Sequence, residues 1–190
     1  MRVQRGDGSS HELRQDAARN LERVLIAARE VFDERGTAFS VEEVAKRAGV
    51  GVGTIYRRFP TKCDLLDAAV FPLHQQTLEI ARRSLESSGG DGLECFVRQA
   101  TAFHAAHGLP SRLLWGAAGA AAVRREIAAA MEALIQRAKD FGALREDVVY
   151  QDLVVLFWTI TDLVEATRRT APRIWERHVD LVLDGLRPGP

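Results

Sequence analysis

Cysteine is nearly absent from this chain. Cys63 and Cys95 are the only two in 190 residues, lie far apart and form no CxxC pair, which argues against a disulfide framework or a structural zinc site. No run approaches the roughly 20 consecutive apolar residues a membrane-spanning helix needs. The first twenty residues, MRVQRGDGSSHELRQDAARN, carry charges without the apolar centre of an export signal. A soluble cytoplasmic protein with no membrane partner is therefore expected. Charge of one sign is lacking too, since the formal net charge is zero. Its distribution is nevertheless uneven: residues 1–62 hold twelve Arg or Lys against nine Asp or Glu, and residues 63–190 fourteen against seventeen, so the first third is the basic part.

Also missing is any alternating apolar and polar run bounded by turns, the mark of a half-buried strand. Apolar residues recur instead at helical spacing almost throughout, so an all-α fold of about nine helices is expected. Leu21, Val24, Leu25, Ala28, Val31 and Phe32 form the stripe of a first helix over about 17–35, stopped by Gly36. Ser40 stands three residues before Glu43, a capping-box spacing that opens a short second helix ending at Gly49. A third covers Val52 to Phe59 and stops before Pro60. Thr61 and Asp64 repeat the capping spacing for a long fourth helix, in which Pro72 predicts a kink. After the Ser87–Gly92 linker come helices near 92–107, 110–118, 122–140, 147–169 and 172–186.

The stretch RAGVGVGTIYRRFPTK, Arg47 to Lys62, places three glycines at alternate positions before a basic cluster. A Walker loop needs GxxxxGK followed by Ser or Thr, and a dinucleotide loop needs GxGxxG after a strand. The GxGxG here follows a helix and has its lysine too far downstream, so both phosphate-loop readings fail. Two short helices around a Gly49–Val50 turn fit a helix-turn-helix, whose second helix enters the DNA major groove. At 100° per residue, Ile55 and Phe59 with Val52 nearby turn inward, while Gly53, Thr54 and Arg57 turn outward with Tyr56 and Arg58 on the flanks. Glycine allows close approach of the backbone, hydroxyls suit phosphate oxygens, and arginine suits guanine edges or phosphate. Lys62 adds a cation at the start of the fourth helix.

The stretch SVEEVAKRAGVGVGTIYRRFPTKCDLLDAAV, Ser40 to Val70, closely resembles the N-terminal domain of the TetR family of transcriptional regulators. The resemblance is carried by the spacing of Phe32, Gly36, Ala45, Gly49, Val50, Thr54, Tyr56, Phe59 and Lys62. One position departs from the pattern: Gly51 stands where a Ser or Thr often caps the recognition helix. The resemblance implies a two-domain fold, an N-terminal three-helix helix-turn-helix domain with a larger C-terminal helical bundle. It also implies a homodimer on palindromic double-stranded operator DNA and release by a small-molecule effector. The expected divisions are a disordered arm over 1–16, the DNA-binding domain over 17–62, and a ligand-binding and dimerisation domain over 63–190. The DNA contacts expected are Ser40, Val52, Gly53, Thr54, Tyr56, Arg57, Arg58, Thr61 and Lys62.

For the rest of the chain the resemblance places dimerisation in the last two helices. Leu153, Leu156, Phe157, Ile160, Leu163 and Val164 belong to a helix apolar on more than one side, which a small monomer has difficulty burying. Ile174, Trp175, Val179, Leu181, Val182 and Leu186 in the final helix complete the expected dimer interface. Candidate walls of an effector pocket are Phe71, Phe96, Phe103, Trp115 and Trp158, with His104, His107 and Asp162 as polar groups, which suits a small apolar or aromatic molecule. His104 and His107 have the i, i+3 spacing of a two-residue metal site, but histidines that bind no metal are the more frequent outcome. No cofactor or metal is expected. No nucleophile and base stand in a recognisable arrangement, and the adjacent Glu42 and Glu43 diverge on their helix, so no catalytic residue is expected.

Overall fold

The computed structural model describes residues 8–107 and 121–189. Eight α-helices stand among them: α1 (Gly8–Arg35), α2 (Val41–Ala48), α3 (Val52–Arg58), α4 (Lys62–Leu85), α5 (Gly92–His107), α6 (Ala121–Asp140), α7 (Tyr150–Thr167) and α8 (Ile174–Leu186), with one 3₁₀ turn at Gly36–Ala38. The helix expected near 110–118, and Trp115 with it, lies outside the described residues, as do residues 1–7 of the expected arm. The remainder of that arm is helical, because α1 already begins at Gly8. Residues 8–16 carry no apolar stripe to announce a helix. Glu12, Leu13, Arg14 and Gln15 there nevertheless have high intrinsic helix propensity and extend a helix nucleated by the packed residues that follow.

The local signals at the helix ends act as their chemistry predicts. Ser40 Oγ accepts from the Glu43 amide at 3.2 Å, and the Ser40 amide donates back to the Glu43 carboxylate at 3.1 Å, so two of the orphan donors of α2 are satisfied reciprocally. Gly49 closes α2 in the left-handed region, φ +67°, where a Cβ would be strained. At the start of α4 the Thr61 amide donates to Asp64 Oδ2 at 2.9 Å, and the Asp64 amide to Thr61 Oγ1 at 3.1 Å. The short α3 begins without a side-chain cap, at Gly51. The helical run of α4 continues through Pro72, whose missing N–H leaves the Ala68 carbonyl without its helical donor.

The chain divides into two compact units, Met1–Ala69 and Val70–Pro190, with the division inside α4. In the N-terminal unit, Val24, Ala28 and Phe32 of α1, Val44 and Ala45 of α2, and Ile55 of α3 are buried. The Phe32 and Phe39 rings meet edge to face at 5.7 Å. Arg29 of α1 donates to the Ala69 carbonyl at 3.2 Å, which ties α4 to α1 within this unit. The C-terminal unit has its own core, built from Phe96, Val97 and Ala100 of α5, Ile127, Met131 and Leu134 of α6, Leu153, Phe157 and Ile160 of α7, and Val179 and Leu183 of α8. Each of these side chains larger than alanine contributes about 1.5–3 kcal/mol when fully buried. Gly92 allows α5 to pass close to α4: a Cβ there would lie 2.5 Å from the Ser84 carbonyl oxygen.

Candidate nucleic-acid interface

The turn at Gly49 and Val50 sends α3 away from α2. The Val50 amide donates to the Ala45 carbonyl at 3.0 Å, completing the C-terminal cap. The short α3 is anchored by one side: Ile55 is buried within it, and Phe59 just after it. Val52 is half-buried, and Gly53, Thr54, Tyr56, Arg57 and Arg58 are exposed, as the helical rotation predicts. Nothing lies within 4 Å of where a Cβ on Gly53 would stand. The chain's own packing therefore does not require glycine at that position, and the bare backbone faces outward.

The basic stretch separates into committed and uncommitted charges. Arg47 forms a two-pronged pair with Glu34, at 2.7 and 2.8 Å. That hydrogen bonding holds the Glu34 carboxyl below its ordinary range and the Arg47 guanidinium above its own. Lys62, half-buried, donates from Nζ to the Phe39 carbonyl at 3.1 Å and stands 4.7 Å over the Phe39 ring. These are a hydrogen bond and a cation–π contact that fasten the start of α4 to the residue before the α2 cap. Ser40 and Thr61 have their oxygens engaged in the two caps. Ser40, Thr61 and Lys62 are among the expected DNA contacts, and their polar atoms hold the unit together. Arg57 and Arg58 are the exposed cations of this stretch with no ion pair among the described residues.

A neighbouring surface was not legible beforehand. A groove of about 430 Å³ runs between α1 and α3, bordered by Asn20 on one side and Thr54, Arg57 and Arg58 on the other. Asn20 accepts a hydrogen bond from Arg23. Its place at the rim follows from packing α1 against α3, and no local spacing in the sequence signals it.

The expected effector residues scatter. Phe96 and His104 are buried in the C-terminal unit, and Phe103 is half-buried against them. Phe71, Trp158, His107 and Asp162 are exposed, so these four do not join Phe96 and His104 in one enclosed wall. His107 stacks on Phe103 at 4.3 Å between centroids, and its Nδ1 lies 2.8 Å from the Phe103 carbonyl. No group of three or more His, Cys, Asp or Glu able to hold a metal occurs among the described residues. The side chains near His104 that sequence reasoning missed are Thr77 of α4, Thr101 of α5, and Phe157 and Thr161 of α7. For the three threonines the signal was a polar residue on an otherwise apolar stripe, which periodicity treats as noise, and Phe157 had been assigned to the dimer interface.

Two family models match the chain in succession. Residues 24–69 match bacterial regulatory proteins of the tetR family, and residues 89–188 match the C-terminal domain of SbtR-like transcriptional regulators. The chain belongs to the TetR family of transcriptional regulators. This is a DNA-binding and non-enzymatic family. An HTH-type transcriptional regulator of Staphylococcus aureus is 43% identical over 54 residues, covering 28% of this chain and 29% of that relative. The crystal structure of a TetR transcriptional regulator from Streptomyces coelicolor is similar over 90% of this chain and 99% of its own, at 29% identity and a TM-score of 0.53. The fold is also shared with the FadR regulator of Bacillus subtilis, solved in complex with stearoyl-CoA, at 18% identity, 87% and 99% coverage and a TM-score of 0.61.

In this TetR-family chain the expected dimer residues divide sharply by burial. Leu153, Leu156, Phe157, Ile160, Val164 and Val179 are buried inside the protomer. They pack against α5, α6 and each other as its core and leave no surface for a second chain. Phe157, for instance, meets Phe96 edge to face at 5.6 Å. Leu163, Trp175, Val182 and Leu186 are half-buried, and Ile174 and Leu181 are exposed. Val155 and Trp158, three residues apart on α7, are exposed as well. On α7 the exposed apolar stripe is thus the one next to that singled out by the sequence, whereas on α8 the exposed Ile174 and Leu181 are among the residues it named. No described helix is long and apolar enough to cross a membrane.

Proposed function

We propose that this TetR-family regulator is a repressor that binds a palindromic operator as a homodimer and leaves it when a small apolar or aromatic effector occupies the C-terminal unit. The observation that carries the reading is the outward face of α3, where Gly53, Thr54, Tyr56, Arg57 and Arg58 are exposed and both arginines lack internal ion pairs. Arg57 and Arg58 supply base-edge and phosphate contacts, and Thr54 and Tyr56 supply hydroxyls to phosphate. Gly53 lets the helix approach closely. Val52, Ser40, Thr61 and Lys62 lie at the margins, where Ser40, Thr61 and Lys62 keep α2 and α4 in place around α3. Dimerisation uses the exposed Val155, Trp158, Ile174 and Leu181, which sets two α3 helices on successive major-groove faces about 34–36 Å apart or a multiple of that. The stearoyl-CoA complex of a protein sharing this fold supports the presence of a small-molecule effector.

The test is a fluorescence-anisotropy titration of the dimer on DNA flanking its own gene. Arg57→Ala and Arg58→Ala should each cost about 1–3 kcal/mol of specific affinity, with the melting temperature unchanged. The wild type should lose affinity steeply between low and moderate salt, as counterion release requires. Equal affinity for that DNA and for random DNA, or retention of full affinity by both variants, would refute the reading.

A further inference from the structure

Beneath the surface of the C-terminal unit, α5 and α7 enclose a narrow crevice lined by Thr101, His104, Ala105, Phe157, Ile160 and Val164, with Thr161 at its edge. It leaves no room for a water molecule. Two polar atoms lie buried in this dry lining with no hydrogen-bond partner among the described residues, His104 Nδ1 and Thr101 Oγ1. Buried polar atoms are nearly always partnered, so a pair of orphans in one crevice calls for a physical reason.

The hydrogen bonds around His104 determine which kind of partner is missing. Thr77 has one hydroxyl hydrogen, and it goes to the Leu73 carbonyl at 3.0 Å. The same Thr77 oxygen lies 3.2 Å from His104 Nε2, so it accepts there and Nε2 carries the hydrogen. Neutral imidazole has only one N–H, which makes Nδ1 a lone-pair acceptor. The ring stays neutral because burial, with His74 and His107 nearby, pushes its pKa down to about 3. His104 therefore lacks a donor. Thr101, one helical turn earlier on α5, has a hydroxyl that both gives and takes, and Thr161 already donates to the Phe157 carbonyl.

We infer that the effector is an uncharged molecule with an apolar body and a hydroxyl group, which donates to His104 Nδ1 and accepts from Thr101 Oγ1 while its body displaces Phe157, Ile160 and Val164. This assignment rests on the effector reading of the C-terminal unit and adds the chemical class. A carboxylate has no hydrogen to give Nδ1, and the lining holds no acid to balance a cation. Because the crevice is closed, the ligand enters by parting α5 from α7. Satisfying two orphaned atoms favours that parted arrangement over the closed one.

The full-length protein is tested with three probes of equal carbon number: 1-hexanol, its isomer 1-methoxypentane, and hexanoate. Long-range ¹H–¹⁵N correlation of the histidine rings reports the tautomer directly. The expected result is His104 protonated at Nε2 alone, with an Nδ1 resonance that moves saturably on adding hexanol. Hexanol should bind about tenfold more tightly than the ether, with no response to hexanoate, because only the alcohol satisfies a buried acceptor. Thr101→Val, which keeps the volume, should weaken alcohol and ether by a similar factor, because both oxygens accept from the Thr101 hydroxyl. A proton on Nδ1, equal binding of alcohol and ether, saturation by none of the probes, or undiminished affinity for both in Thr101→Val would overturn the assignment. Operator release is read separately by anisotropy. Alcohol-selective binding that leaves DNA affinity unchanged upholds the hydroxyl site and instead defeats the effector reading.

Discussion

The two units place their polar groups in opposite ways. In the N-terminal unit the hydrogen-bonding side chains near α3 are partnered at the helix ends, by Ser40 with Glu43 and Thr61 with Asp64. The groups left over, Arg57 and Arg58, point into solvent. In the C-terminal unit the groups left over are inside, at Thr101 and His104, and water does not reach them. A surface that meets a large, charged, preformed polymer can present its cations to water without penalty. A site for a small apolar molecule has to hold its polar anchors where they are desolvated, and such atoms destabilise the empty state. On the proposed reading, the first unit gains function without giving up stability, and the second does not.

The largest expected effect tests whether α7 has the inward and outward sides described. Phe157→Ala should destabilise the C-terminal unit by about 3–5 kcal/mol. Trp158→Ala, one residue on, should change monomer stability by less than about 0.5 kcal/mol while weakening self-association. Urea denaturation with a sedimentation dilution series measures both, and similar stability losses would break the distinction between core and surface stripes.

An intermediate effect comes from acid. His104 has a folded pKa near 3 against an ordinary 6.5, so below 6.5 the unfolded chain takes up a proton that the folded chain refuses. The stability this group provides is present in full above pH 6.5 and is lost as pH falls from 6.5 toward 3. The slope approaches about 1.4 kcal/mol per pH unit, or about 2 kcal/mol between pH 6.5 and 5. Urea midpoints at those two pH values should fall for the wild type and fall less for His104→Leu. An identical fall in both would remove His104 as the cause and sharpen the contrast with the N-terminal unit elsewhere.

The smallest effect has opposite signs for stability and function. Gly53→Ala should raise the thermal stability of the N-terminal unit by about 0.5–1 kcal/mol, because glycine is a poor helix former and the added methyl meets open space. The same methyl should weaken operator binding if α3 lies close against the duplex. Calorimetry and anisotropy on one preparation decide it, and a variant both more stable and equally tight on DNA would mean that the backbone does not come near.

Much of the architecture was readable because its causes are local. Gly36 and Gly49 stop helices through a left-handed backbone, two capping boxes start helices three residues from their acids, and the outward side of α3 follows from rotation about a helix of seven residues. What failed to read was pairing at a distance. Arg47 belongs to the basic stretch, and its pairing with Glu34, thirteen positions earlier, has no local signal. Nor does any spacing announce that Lys62 stands over the Phe39 ring. The α7 helix is apolar on more than one side, and periodicity counts apolar positions without saying which stripe meets α5 and which is left uncovered. The start of α1 was missed for a related reason, since residues without an apolar stripe give no packing signal even when their propensity favours helix.

The amino-acid order alone determined where helices begin and end, that the protein is all-α, and which side of the reading helix faces out, because each depends on interactions spanning one or two turns of chain. Tertiary structure decided which charges remain uncommitted, which apolar stripe is core, and that a neutral histidine with a bare lone pair sits sealed beside a threonine. Those outcomes depend on which distant segments come into contact and exclude water, and a spacing along one helix carries no record of that.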